Sequence, residues 1–107
     1  MLLVEIAVDI TGKIKDFVSE LEKQNLHVEQ VFLFGSYAKG TFNEWSDIDI
    51  AVVSNDFCGI RLFDKEKMIK AIAAIDFSLS PLPFRPEDFD ESNLFVKEIL
   101  ETGIRII

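Results

Sequence analysis

The sequence predicts an α/β (α+β) domain, a mixed β-sheet flanked by helices. Three observations carry this. Two long segments repeat apolar residues at helical spacing, two shorter runs are nearly continuous in apolar residues and bounded by turn residues, and the two kinds alternate along the chain. The 107 residues are 49% hydrophobic and include ten phenylalanines, enough to supply a core. No repeat, low-complexity tract or linker divides the chain, so residues 1–107 read as a single domain.

From Leu3 to Gln24 the apolar positions Leu3, Ile6, Ala7, Ile10, Ile14, Phe17, Val18 and Leu21 mark an amphipathic helix. Gly12 weakens its middle and leaves a break into two pieces open, and Asn25 closes it. "HVEQVFLFG" follows, with Val31, Phe32, Leu33 and Phe34 as a buried strand ending at a glycine. "DIDIAVVS" is the next strand, and "SNDFCG" after it is a turn. "LFDKEKMIKAIAAI" has helical spacing, and "DFSLS" reads as a short strand. It leads into "PLPFRPEDF", whose three prolines lack backbone donors and predict an extended path over the surface. Ser92 or Asn93 can cap a last helix running to about Thr102. Gly103 ends it, and "IRII" reads as a terminal strand joining the sheet.

The formal charge of -8 argues against a nucleic-acid partner, because affinity for phosphate backbones comes from clustered Lys and Arg. Lone Cys58 permits no internal disulfide and single His27 no Cys/His zinc spacing, so a reducing, cytoplasmic setting fits best. The opening "MLLVEIAVDI" is interrupted by Glu5 and Asp9 and lacks a basic leader, and no segment approaches the ~20 apolar residues of a membrane span.

The chemistry concentrates in "FLFGSYAKGTFNEWSDIDIAVVS", residues 32–54. Gly35 lets backbone approach a ligand closely, and Ser36 opens a short helical turn whose free amides would face an anion. Alone, a Gly-Ser pair is a weak signal and more often an ordinary capped turn. Asp47 and Asp49 add a second signal, because residues two apart on a strand share a face, roughly 6.6 Å apart. Two carboxylates so placed repel, which raises the pKa of one unless a cation compensates. Mg²⁺ is the natural cation, since it favours carboxylates together with substrate phosphates.

Gly35-Ser36, ten residues, then Asp47-Ile48-Asp49 resembles the pattern of nucleotidyltransferases related to DNA polymerase β, in particular their stand-alone minimal members. The likeness includes "LFGSYAKG" and "SDIDIAVV" and spans most of the chain. It implies a polymerase-β-like nucleotidyltransferase fold. It also implies nucleotide phosphates at Gly35 and Ser36, Asp47 and Asp49 as catalytic Mg²⁺ ligands, and Lys39 at the nucleotide, where many relatives have arginine. The implied reaction transfers a nucleoside monophosphate, AMP from ATP above all, to an acceptor hydroxyl. The family's third carboxylate falls on Ser80 when "PLPFRPEDF" is aligned, whereas Asp76 lies four residues earlier and fits only if the alignment shifts.

Members of this group often act with a helical HEPN-type protein partner in toxin-antitoxin pairs, which the resemblance extends to this chain as an expectation. A partner or a second copy, making a homo-oligomer, would supply a wall that so short a chain lacks. The alternative is a catalytically weakened, nucleotide-binding antitoxin acting by contact, which Ser80 favours. Glu87, Asp88, Asp90 and Glu91 read as a solvated face, His27 as a polar residue at a strand start and Arg85 as a surface residue. Tyr37 and Trp45 flank the proposed pocket, where they either stack on a base or pack.

Overall fold

The computed structural model describes residues 3–43 and 45–107, with the side chains of residues 3–8 outside that description. Helix α1 spans Leu3–Lys23 as one uninterrupted element, so Gly12 does not divide it. Among the described residues nothing lies within contact of a side chain at Gly12, and there the glycine costs backbone entropy without breaking the helix. Leu3, Ile6 and Ala7 of the predicted stripe lie among the undescribed side chains. Asn25, at φ 63°, turns the chain out of α1.

Strand β1 (Gln30–Phe34), helical turn α2 (Ser36–Lys39), β2 (Ile48–Val53), α3 (Arg61–Ile75), β3 (Leu79–Phe84), a 3₁₀ turn (Pro86–Asp88), α4 (Leu94–Thr102) and β4 (Ile104–Arg105) follow in order. The sheet runs β3-β2-β1-β4. β1 is antiparallel to both β2 and β4, and β2 is parallel to β3, joined to it by the α3 crossover. The sheet is therefore mixed, and β2 lies inside it.

Strand alternation sorts the core into two layers. Val31, Leu33, Ile48, Ile50, Val52 and Leu79 pack against Ile10, Ile14, Phe17 and Leu21 of α1 and Met68 and Ala71 of α3. On the other face Phe32, Ala51, Val53 and Phe84 pack against Val96 and Ile99 of α4, with Phe89 against the rings of Phe32 and Phe84 at centroid distances of 5.5 and 5.2 Å. Asp64, 2% exposed, accepts the amides of Cys58 and Gly59 and pairs with Lys67, tying the β2–α3 loop to its helix. Asn93 is the cap of α4, accepting from Phe95 and Val96.

The proline segment departs from expectation. Residues 76–78 are a turn, and the strand itself is Leu79–Phe84, so Pro81 and Pro83 lie within it rather than on a surface path. The Ser78 carbonyl accepts from Ile48 and the Phe84 carbonyl from Ser54, so the even-numbered residues of β3 turn their polar groups toward β2. Pro81 and Pro83 then face the open edge, where no ladder bond is lost.

Candidate functional site

The head of β2 and the end of β1 meet at the site. Phe34 pairs with Asp49 in the β1–β2 register, and Gly35 turns the chain from β1 into α2. Gly35 has φ 72° and ψ -150°, a region essentially restricted to glycine. A side chain there would also run into the Asp49 carboxylate, whose Cγ lies 3.2 Å from the ideal Cβ position. The Gly-Ser turn and the second acid are thus in direct contact across the two strands. The first backbone bond of α2 runs from Lys39 to the Gly35 carbonyl, so the amides of Ser36, Tyr37 and Ala38 precede it, at the positive end of the turn.

Asp47 is exposed, just ahead of β2, and Asp49 is half-buried. Burial, and then the charge of Asp47, push the Asp49 carboxyl above the usual carboxylate range. Ser80 sits directly opposite Asp49 in the parallel β2–β3 register, exposed and on the same face of the sheet. Asp76 is elsewhere. It caps the C-terminus of α3 instead of lying on the strand, and it is committed to Lys13 at 2.6 Å and to the amide and hydroxyl of Ser78.

The Lys13 hydrogen bond, then those from Ser78, hold the Asp76 carboxyl down to about 2. A depressed acid stabilises the fold above its unfolded value near 3.8 and loses that contribution as pH falls through about 2. Asp76→Ala should therefore lower stability at neutral pH by about 1–2 kcal/mol, after allowing for solvent screening of the part-exposed Lys13. Urea titrations at pH 7 and pH 2 check this, the difference between variant and parent shrinking toward the lower pH.

Lys39 reaches toward α4, its ammonium 3.7 Å from Glu98. The two line a cleft of about 210 Å³ with Phe34, Gly35, Phe95 and Thr102. Phe95 meets Phe34 edge-on at 5.5 Å. Glu98, 59 residues from Lys39, had no signal in the sequence. Tyr37 is part-buried and stacked on Phe42 at 4.6 Å, which gives it a packing role, while Trp45 is 84% exposed. His27 pairs with Asp56, its Nδ1 3.2 Å from the carboxylate. A larger cleft of about 480 Å³ opens at the far end of the sheet, but Arg85 there is paired with Asp88 and Asp64 with backbone amides. Among the described residues no three acidic, His or Cys side chains converge into a metal-binding group.

Gly35→Ala should destabilise the fold by roughly 1–3 kcal/mol, from the backbone conformation and the contact with Asp49. Chemical denaturation measures this, and an unchanged midpoint would contradict the geometry.

This arrangement has relatives. A model of the nucleotidyltransferase domain matches residues 12–106. Three Methanocaldococcus jannaschii proteins, each named "Putative protein adenylyltransferase", are similar. One is 26% identical over 92% of this chain and 97% of its own length, another 46% identical over 55% of this chain and 67% of its own. The third is 34% identical over 72% of this chain and 56% of its own length. A solved structure titled as a putative nucleotidyltransferase from Sulfolobus solfataricus shares the fold, with a TM-score of 0.64 and 21% identity over 96% of this chain and 84% of that one. Both the order of elements and the matched residues lead to one assignment: the chain belongs to the nucleotidyltransferase domain family.

Proposed function

We propose that the chain transfers AMP from ATP to a hydroxyl group on a protein, with Mg²⁺ held by Asp47 and Asp49. The observation that carries the reading is the contact of the half-buried Asp49 carboxylate with Gly35 at the opening of α2. The residues fit the metal, because Mg²⁺ is commonly bound by one or two carboxylates with the remaining positions left to water and phosphate. The raised Asp49 carboxyl is the state that a divalent cation relieves. When bound, the ion stabilises charge on the attacking and leaving oxygens of an in-line displacement.

The chain's own residues do the positioning. The Gly35–Ser36 turn receives the phosphates, free of side-chain obstruction at Gly35. Lys39 exchanges Glu98 for phosphate charge, at little cost for so exposed a pair. The acceptor oxygen bonds to the α-phosphorus, the bond from that phosphorus to the bridging oxygen breaks, and pyrophosphate leaves. With serine at position 80, the hydroxyl proton goes to water. Protein is proposed as the acceptor because the relatives are named protein adenylyltransferases.

Ser80 favours a second reading, a nucleotide-binding antitoxin that neutralises a HEPN-type partner by contact with slow transfer or none. Titration calorimetry with ATP tests the metal site. Binding should need Mg²⁺ and vanish in Asp47→Ala/Asp49→Ala, and equal affinity in that variant and the parent would sink the assignment.

A further inference from the structure

We infer that the Ser80 hydroxyl is itself an acceptor: the chain transfers AMP from ATP to its own Ser80, and the modification fills the position opposite Asp49. This rests on the proposed transfer at Asp47 and Asp49. Asp49 has two neighbours in the sheet, Phe34 with Gly35 on one side and Ser80 on the other. Phosphates at the Gly-Ser turn place the leaving group on the β1 side. In-line displacement brings the attacking oxygen from the opposite side, where Ser80 stands.

Three features suit this hydroxyl for attack. Phe34, Asp49 and Ser80 form one row across β1, β2 and β3, and paired strands lie only about 4.8 Å apart. That row faces the side of the sheet that carries α4, as Phe32, Ala51 and Phe84 do. Pro81 restricts the residue before it to an extended backbone, which holds the Cα–Cβ bond of Ser80 on this face. Ser80 is exposed, and among the described residues no hydrogen bond occupies its hydroxyl, whereas Ser78 donates its own to Asp76 and Thr102 to the Glu98 carbonyl. Ser36 lies on the phosphate side and Tyr37 is stacked on Phe42, so neither is placed for in-line attack.

In the step, the Ser80 oxygen bonds to the α-phosphorus and the bond from that phosphorus to the bridging oxygen breaks. Pyrophosphate leaves, and the hydroxyl proton goes to water. The product is a phosphodiester and no longer an activated anhydride, so AMP stays on Ser80. Each chain is modified once, and the AMP group then stands where an outside hydroxyl would enter.

The test measures the intact mass of the parent as purified and after ATP with Mg²⁺, and maps the modified residue in peptides. The parent should carry one AMP, on Ser80, at a rate independent of protein concentration. Ser80→Ala and Asp47→Ala/Asp49→Ala should carry none, and Ser78→Ala should be modified as the parent is. Proximity is read without turnover in Cys58→Ser/Ser80→Cys, which removes the exposed native thiol. The probe is α,β-methylene ATP, which has no bridging oxygen to release. With Mg²⁺ this nucleotide should slow maleimide alkylation of the thiol at position 80 at least tenfold. AMP on another residue, no AMP on a parent that binds ATP, or alkylation unchanged by bound nucleotide would overturn the inference alone. Modification that speeds up with protein concentration would mean transfer between copies and equally overturn it. Absence of ATP binding in the parent would instead fell the underlying site reading, and the self-transfer with it.

Discussion

Asp49→Asn should abolish nucleotidyl transfer and, in the absence of divalent cation, raise the melting temperature. The two effects have one origin. Burial and the neighbouring Asp47 raise the Asp49 carboxyl above its ordinary value of 3.8, so the folded protein holds that proton more tightly than the unfolded chain does. Such an acid helps the fold below its unfolded pKa, and the contribution is lost as pH rises through the higher folded value. At neutral pH the ionised carboxylate is therefore a liability, which asparagine removes with nearly the same shape. Transfer should fall by roughly 10³-fold or more, because metal stabilisation of the transferring phosphate amounts to several kcal/mol. Mg²⁺ with ATP should raise the melting temperature of the parent but not of the variant. Calorimetric scans with a transfer assay decide it, and a variant that is less stable without cation yet still transfers would refute the account.

Ser80→Asp should act in the opposite direction, raising transfer to the acceptor by roughly 10²–10⁴-fold, the usual range for general-base assistance. The register sets a carboxylate there beside Asp49 on the adjacent strand, where it would reach the hydroxyl and metal of the proposed reaction. Like charges on paired strands repel, so this variant should melt lower than the parent without cation and recover when Mg²⁺ is added. Asp76→Ala should leave transfer nearly intact, since Asp76 serves Lys13 and Ser78 at the end of α3. Robust parental activity that is lost in Asp76→Ala and unimproved in Ser80→Asp would reverse these roles.

Much of this was legible from local pattern. Period-3.6 spacing placed α1 and α3, uninterrupted apolar runs placed β1 and β2, and Asn93 with Gly103 bounded α4. The site was legible because its parts are close in sequence. Gly35 and Asp49 flank a single α2 turn and loop, so the contact of one with the other follows from a hairpin-like return of β2 along β1. β3 was not legible in full, since proline is compatible with a strand only when its missing donor faces an open edge, and edges are decided by the assembled sheet. The Lys13–Asp76 pair spans 63 residues, and Lys39 with Glu98 is joined only when α4 folds back across the sheet. Position 80 lies between these cases. The alignment of its neighbours suggested serine in the third place, and the β2–β3 register supplied the partner across the strand.

The contact between Gly35 and Asp49 also limits the order in which this protein can change. A side chain at position 35 meets both a backbone conformation suited to glycine and the carboxylate beyond it. Shortening Asp49 to alanine removes the carboxylate and leaves its Cβ at 3.3 Å, so only the second obstacle is eased. Asp49→Ala followed by Gly35→Ala should therefore cost less than the two changes summed, a coupling of neighbours that a double-mutant cycle resolves. A lineage abandoning catalysis would find the acid expendable first and the glycine only afterwards. Glycine retained at 35 beside a missing acid at 49 would mark a former enzyme, whereas the reverse combination would be a rare path.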